Sequence, residues 1–420
     1  MRRTIQSLVA AGMCLLAAGN AMAVTRTCSS ATTLDALATC IRTQMPGAAS
    51  QGFVAPSAAE QADWRSVVRQ MLGGACSFAL PASLASVAQV RTFTDSGNGK
   101  GYCLLMEVLD ADNDGKVDRG WGTFVVNAAA QRMVSHHAPH PATDSTTENE
   151  AIGVFRGTDS RSFLMAGAYR SANTVPSTCQ SSYEEADAAH NVATMFHATN
   201  LELADYYGTG PWWAIQWHGM AADTCTAAEV YLSHGRNVTP VAGDKIAQLQ
   251  QNMLAHHPTW SLQVPGSGAC TQNGTDNTQG RLLNGVAADS VCATAATGYS
   301  GRFLHIEQDP GFRSASDWTA AVVETWPVTP PVPAAPTGLV ATPGKKKITL
   351  SWSASAGATG YSVKRSSTSG GPYTVIAAGV TAVTYGNTGL PSGATYYYVV
   401  SASNAAGQSA DSTQASARVK

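Results

Sequence analysis

The segment HAPHPATDSTTE, residues 137–148, lies between a stretch with the apolar pattern of a strand and a stretch with that of a helix. It follows the apolar run at residues 133–135, which ends a strand, and it leads into residues 147–155, whose apolar positions have helical spacing. A loop that joins a strand to a helix is the repeating unit of α/β proteins. The segment therefore predicts an α/β domain, with His140 and Asp144 on the loop after a strand.

The sequence around this segment continues the same alternation of strands and helices. Residues 102–109, 120–127 and 161–168 read as buried strands, because each is a short apolar run. Apolar spacing of three and four residues predicts helices over residues 34–45, 58–71, 186–203 and 243–255. We expect residues 24–325 to form an α/β domain with a mixed sheet and flanking helices.

A proline-dense stretch, residues 326–336, marks the end of this domain. Proline favours extended backbone, so we expect a semi-rigid linker. Beyond it, residues 348–352, 360–365 and 396–402 alternate apolar and polar side chains between Gly, Ser and Pro turns, which indicates short antiparallel strands. Residues 337–420 resemble a fibronectin type III domain, an all-β sandwich. That resemblance implies a spacer or an accessory that binds a surface or polymer.

Residues 1–23 have the features of a secretory signal peptide. Arg2 and Arg3 precede an apolar stretch too short to cross a bilayer, and Ala21-Met22-Ala23 provides a cleavage site. No other stretch is long enough for a transmembrane helix. The formal charge of -2, without a basic block, argues against nucleic acid or anionic membrane as a partner. We expect a periplasmic or secreted protein.

The cysteines agree with export. Cys14 belongs to the signal, and the other eight all precede the linker, which predicts four disulfides in an oxidising compartment. Sequence does not fix the connectivity. Pairing of neighbours is the simplest arrangement: Cys28 with Cys40, Cys76 with Cys103, Cys179 with Cys225, and Cys270 with Cys292. A zinc cluster of cysteines is the weaker alternative, because there is no Cys-x-x-Cys pair.

Residues 110–118 carry closely spaced carboxylates. Asp110, Asp112 and Asp114 are followed by Gly115, as in calcium loops. The position that requires a bidentate glutamate is Trp121, however. A polar hairpin turn is therefore favoured over a weak calcium site, which stays an alternative.

His140 and Asp144 are the first candidate metal ligands. An imidazole and a carboxylate on a loop at a strand end can share one divalent ion. Asp144 could equally cap the helix that starts at Thr147, and the pair alone does not decide between the two roles. His218 follows an apolar run, residues 212–215, and precedes Gly219, which allows close approach of a ligand.

Alternation along residues 302–308 places His305 and Glu307 on one face of a strand. A glutamate on an apolar strand is costly to bury unless it is paired or functional, so Glu307 is the candidate general base. His305 could be a ligand, a transition-state donor or a packed core residue. After the third strand, Arg170 is a candidate clamp for a substrate carboxylate and Asn173 a candidate orienting residue, with a surface arginine as the alternative.

Residues 182–191 are expected to open a helix with a polar face. Asp187, His190 and Asn191 share that face by their spacing, either as hydrogen-bond partners of metal ligands or as a solvated surface.

Together, residues 100–320 resemble the metal-dependent amidohydrolases of the zinc-carboxypeptidase type of fold, the N-formylglutamate amidohydrolase and poly-γ-glutamate hydrolase branches. The matching features are His140, Asp144 with Thr147, His218-Gly219 and the strand-borne Glu307. The resemblance implies that His140, Asp144 and His218 hold zinc and that Glu307 takes a proton from water and returns it to the leaving amine. Asp144 stands where those families have Glu, so substrate specificity does not transfer.

The expected activity is hydrolysis of an amide bond near a carboxylate, in a peptide-like or cell-wall-like substrate. Two alternatives stay open. The domain could be a non-catalytic surface-binding or adhesion module, or a metal-dependent hydrolase of another bond, such as a phosphoester.

Overall fold

The computed structural model describes residues 24–268, 270–328 and 330–420. The proposed signal peptide, residues 1–23, lies outside the described residues. The chain divides into two compact units, with the boundary between Trp326 and Pro327. In the part of the chain that the structure describes, no helix is long and apolar enough to cross a membrane.

The helices of the first unit are α1 (Leu34–Thr43), α2 (Ala58–Leu72), α3 (Thr147–Thr158), α4 (Met195–Tyr207), α5 (Lys245–His256), α6 (Thr278–Leu283) and α7 (Ala315–Thr325). Its strands are β1 (Val24–Thr25), β2 (Ala88–Thr94), β3 (Gly101–Glu107), β4 (Leu109–Asp110), β5 (Thr123–Val126), β6 (Arg132–Ala138), β7 (Ser160–Met165), β8 (Trp213–Gly219), β9 (Val230–Ser233), β10 (Leu262–Gln263) and β11 (Phe303–Gln308).

A nine-stranded mixed sheet is the centre of this unit. Its strand order is β10-β9-β11-β8-β6-β7-β5-β3-β2. The four central strands, β11, β8, β6 and β7, are parallel to one another. β9 pairs antiparallel with β11, and β5, β3 and β2 continue the other side antiparallel. The carboxyl ends of the parallel strands therefore meet at one edge, where open α/β sheets place their ligand sites.

Helices cover both faces of the sheet, because each carries an apolar stripe. Leu37 of α1, Phe155 of α3, Leu249 of α5 and Trp318 of α7 belong to one buried core. The other face is covered by α2, α4 and α6, with Trp64 of α2 among its buried residues. These layers give the mixed sheet with flanking helices that the sequence predicts.

The predicted helix over residues 186–203 is wrong in its first half. The helix α4 begins only at Met195, where the Thr194 side chain accepts the His197 backbone N–H. Residues 182–191 form turns, with Asp187 accepting the Ala189 backbone N–H. Aspartate and asparagine side chains compete for local backbone donors, and in this segment that competition prevails over helical spacing.

Two of the four predicted disulfides are correct. Cys28 pairs with Cys40 and Cys76 with Cys103. The other two predictions are wrong, since the pairs are Cys179–Cys292 and Cys225–Cys270. The first of these spans 113 residues and ties the loop after β7 to the segment after α6. Such a distant pairing depends on the tertiary fold and has no local sequence signal.

Residues 110–118 form a turn held by their own carboxylates. Asp110 accepts the Asp114 and Gly115 backbone N–H groups and pairs with Arg26. Asp114 accepts the Lys116 N–H. The carboxylates that approach one another are those of Asp110, Asp112 and Asp118, so Asp114 is not part of the cluster in the structure.

The second unit consists of two facing sheets. Their strands are β12 (Val340–Gly344), β13 (Lys347–Ser351), β14 (Gly360–Ser366), β15 (Thr374–Val380), β16 (Thr384–Thr388), β17 (Thr395–Asn404), β18 (Gly407–Gln408) and β19 (Ala415–Arg418). One sheet has the order β12-β13-β16, and the other contains β15, β14, β17 and β18, with β19 also paired to β17. Alternate residues such as Leu350, Val363 and Tyr398 point inward and form the core.

Candidate active site

Side chains from three parallel strands and two loops line one cavity of about 420 Å³ at the carboxyl edge of the sheet. β6 leads into the loop of His140 and Asp144, β8 carries His218, and β11 carries His305 and Glu307. The loops contribute Arg170, Tyr183 and His190 from one segment and residues 271–277 from the other. The five residues that the sequence singled out on these three strands are therefore brought together by the fold.

His140, Asp144 and His218 form one group of potential ligands. Asp144 Oδ2 lies 3.1 Å from His140 Nδ1 and 3.7 Å from His218 Nδ1. All three side chains are buried. Asp144 does not cap α3, because its Oδ2 accepts the Gly219 backbone N–H and the cap residue is Thr146, which makes no side-chain cap bond. The structure thus excludes the side-chain cap role for Asp144 and places its carboxylate near the two histidines.

The far nitrogens of both histidines are held by hydrogen-bond acceptors. His140 Nε2 donates to Asp187 Oδ1 at 2.9 Å, and His218 Nε2 donates to Gln216 Oε1 at 3.2 Å. Such bonds fix the ring orientation and leave the Nδ1 atoms facing Asp144. Zinc-binding histidines have this kind of partner on the other ring nitrogen.

A second triplet of potential ligands, His140, Asp187 and His190, shares His140 with the first. Here Asp187 is already saturated by donors. Its Oδ1 accepts from both histidines and from the Ala189 N–H, and its Oδ2 pairs with Arg170 at 2.8 Å. Asp187 therefore acts as the carboxylate that orients His140 rather than as a ligand.

Ionisable side chains are concentrated in the cavity. Asp144, Asp276 and Glu307 line it, Asp187 borders it, and Arg170 and His140 lie beside these carboxyl groups. Burial lowers the pKa of His140, but Asp187 and then Asp144 outweigh it and raise that pKa to about 9. Burial raises the pKa of Glu307 to about 8, and Asp144 adds to the effect. A divalent cation bound by His140 and Asp144 would take the place of the proton on His140, because a metal ligand has to be deprotonated.

Glu307 and His305 lie on the same face of β11, as their spacing predicts. His305 Nε2 is 3.6 Å from Glu307 Oε1, and the His305 ring packs 4.4 Å from the His218 ring. Burial lowers the pKa of His305 to about 3, with His190 and His140 adding to it. His305 is thus a neutral residue at the cavity wall.

Of the two candidate substrate-binding residues after β7, one lines the cavity and the other does not. Arg170 lines the cavity, and its pairing with Asp187 uses one of its five N–H donors. Asn173 lies away from the cavity lining, because its amide binds the Phe53 backbone N–H and C=O and the Glu185 carboxylate. Asn173 is therefore not among the residues that line the cavity, and its role in orienting a substrate stays a prediction.

The wall formed by residues 271–277 was not identified from the sequence. Asn273 is fixed by the Tyr231 hydroxyl at 2.7 Å and by Ser233 Oγ, which donates to its backbone carbonyl. Gly274 has a φ of +60°, and a Cβ there would lie 2.6 Å from His305 Cδ2. The segment thus packs directly over the His305 ring. A glycine between polar residues was the one signal that pointed to this close approach.

The ligand set fits zinc. Two imidazoles and one carboxylate are a common zinc set, and zinc bonds of about 2.1 Å at tetrahedral angles put donor atoms about 3.4 Å apart. The observed separations of 3.1 and 3.7 Å bracket that value.

Comparison with known proteins bears on a small part of the chain. No family model matches it. Amylopullulanases of Thermoanaerobacterium saccharolyticum and Thermoanaerobacterium thermosulfurigenes are 49% and 46% identical over 70 residues, which is 17% of this chain and 6% and 4% of those proteins. The chain thus spans only a small fraction of these relatives, and their activity does not transfer to it.

Among solved structures, a Fn3-like protein from Clostridium thermocellum is 42% identical, covering 21% of this chain and 94% of that one with a TM-score of 0.20. FN3tt is 28% identical, covering 22% and 98% with a TM-score of 0.20. The C-terminal unit is fibronectin type III-like. Its two-sheet arrangement and its inward-facing alternate residues agree with the sandwich that the sequence predicts.

Proposed function

We propose that the first unit is an exported zinc-dependent hydrolase that cleaves an amide bond near a carboxylate. One observation carries the proposal: His140, Asp144 and His218 converge in a cavity that also contains the carboxylate of Glu307. The four disulfides fit an oxidising compartment.

Each residue has a role that follows from its place. Zinc, when bound by His140, Asp144 and His218, supplies a Lewis acid that polarises a carbonyl and activates water. Glu307 takes the proton of the attacking water and passes it to the nitrogen of the leaving amine. Asp187 holds His140 in the orientation that presents Nδ1. Burial of the histidines and of Asp144 keeps bulk water from the ligand atoms.

Arg170 supports a substrate that carries a carboxylate. Its side chain is 31% exposed and lines the same cavity as Glu307. A guanidinium fork binds carboxylates through paired N–H donors, and one donor bound to Asp187 leaves others available. This arrangement supports cleavage of an amide next to a carboxylate-bearing residue such as glutamate.

The test is hydrolysis by the full mature chain, supplied with zinc, of acyl-amino acids, peptides and phosphoesters. The amide substrates are expected to be cleaved, and Glu307→Gln is expected to lower the rate about 10²–10⁴-fold while zinc content is unchanged. Cleavage of phosphoesters alone would assign the site to another bond. Absence of any cleavage, with zinc bound, would favour a non-catalytic module.

A further inference from the structure

A second, smaller cavity of about 130 Å³ adjoins the metal cavity. Thr224, Thr271 and Gln272 line both, so the two form one continuous cleft. The smaller cavity is completed by residues 225–227 and Cys270. None of its lining residues is charged or aromatic.

We propose that this smaller cavity is a subsite for the uncharged, extended part of a peptide whose scissile amide lies at the metal. The proposal rests on the proposed function. It adds that the substrate is a peptide of several residues and that the chain recognises it on the amino-terminal side of the scissile amide. Hydroxyl and amide side chains are suited to the N–H and C=O groups of a peptide backbone.

The side chains of the subsite are available for a ligand. Within the described residues, Thr226, Thr271 and Gln272 make no side-chain hydrogen bond to the protein, and Thr226 and Thr271 are exposed. Sugar rings are commonly held by stacking on aromatic side chains, and this lining has none, so a peptide is favoured over a glycan.

The subsite is built on fixed walls. The Cys225–Cys270 disulfide joins the two segments that face each other across it. The wall formed by residues 270–272 is followed directly by Asn273, which is held by hydrogen bonds from Tyr231 and Ser233. In the wall formed by residues 224–227, the Ala227 carbonyl accepts hydrogen bonds from the Ser261 and Gln263 side chains. A preformed site loses less conformational entropy when it binds an extended ligand.

The experiment compares N-acetyl-glutamate with N-acetyl-Ala-Ala-Ala-glutamate, both cleaved at the amide of the glutamate. We expect kcat/KM to be at least about 10-fold higher for the longer substrate, the value of one or two additional hydrogen bonds. Thr226→Trp fills the subsite and is expected to remove that gain while cleavage of N-acetyl-glutamate is unchanged. Thr297→Trp, at an exposed position outside both cavities, is the matched control.

Calorimetry gives a readout apart from activity. It measures the binding of N-acetyl-Ala-Ala-Ala-glutamate to the zinc-free full mature chain. Weaker binding in Thr226→Trp than in Thr297→Trp supports the subsite even if the bond is not cleaved, in which case only the proposed function fails. Equal kcat/KM for both substrates, or equal effects of the two tryptophan variants, overturns the subsite and leaves the metal site standing.

Discussion

Gly274→Ala tests the close packing of the 271–277 segment on His305. The new Cβ would lie 2.6 Å from His305 Cδ2, about 0.8 Å short of the 3.4 Å where ordinary contact begins. A left-handed backbone costs a residue with a side chain about 1–2 kcal/mol, and overpacking costs about 1–3 kcal/mol more. We expect a loss of roughly 2–5 kcal/mol in the free energy of unfolding, measured by denaturant titration.

Gly285→Ala is the control, because Gly285 also has a positive φ, +91°, but nothing within 4 Å of its added Cβ. It is expected to cost only the backbone part, about 1–2 kcal/mol. In Gly274→Ala, the protein could relieve the overlap by moving His305. The rate of hydrolysis would then fall by up to about 100-fold, because a misplacement of about 1 Å in an active site can lower the rate that much.

Removing the ring should relieve the overlap. In the His305→Ala background, Gly274→Ala is expected to cost no more than Gly285→Ala, so the double variant shows a coupling between positions 274 and 305. Equal stability and activity of Gly274→Ala and Gly285→Ala in the wild-type background would refute the packing argument.

Three further predictions concern the orienting carboxylate, the buried histidines and the turn. Asp187→Asn is expected to weaken zinc binding about 10–100-fold in a chelator competition, because His140 loses a charged partner. Asp289→Asn, at an exposed position, is the control and is expected to leave the zinc affinity unchanged. Unchanged affinity in Asp187→Asn would rule out the orienting role. Burial lowers the pKa of His136 and His137 to about 3 and that of His197 to about 4, from 6.5. Below pH 6.5 the unfolded chain takes up protons on these positions that the folded chain does not, so their contribution to stability is complete above pH 6.5 and is lost as the pH decreases, by up to about 1.4 kcal/mol per histidine and pH unit. His140 and Glu307, whose pKa values are raised, act in the opposite sense, so the test is a difference between two chains. Denaturant titrations at pH 7.5 and 5.5 are expected to show a less favourable change on acidification for the wild-type chain than for His197→Gln; the same change in both contradicts the burial argument. Asp110→Ala is expected to destabilise by about 1–3 kcal/mol because Arg26 and two backbone N–H groups lose their acceptor, and calcium is expected to leave Tm unchanged. A calcium-dependent rise in Tm that Asp112→Asn abolishes would instead establish a calcium site.

The parts of the fold that the sequence predicted are those with a strong local pattern. The apolar run before His218 and the alternation around Glu307 identified strands, and parallel strands bring their carboxyl ends to one edge. The sandwich of the second unit was predictable for the same reason, because its strands alternate clearly.

The loops were not predictable in the same way. Asp187 and His190 have helical spacing, but their side chains bind local backbone and each other, so the segment turns. The partner of Cys179 is 113 residues away, and residues 271–277 have no periodic pattern. Their position depends on contacts that exist only in the folded chain. Consequently the candidate ligands were identified from the sequence, whereas the choice between the two roles left open for Asp187, and the cavity beside Cys225 and Cys270, required the structure.

The zinc content of the purified mature chain tests the central claim most directly. Measured by plasma mass spectrometry after dialysis against dilute zinc, it is expected to be about one zinc per chain. His140→Ala and His218→Ala are expected to lose it, and His257→Ala, whose ring packs on Trp260 away from the cavity lining, is expected to keep it. A wild-type chain without zinc, or His140→Ala and His218→Ala chains that keep the full content, would contradict the metal site.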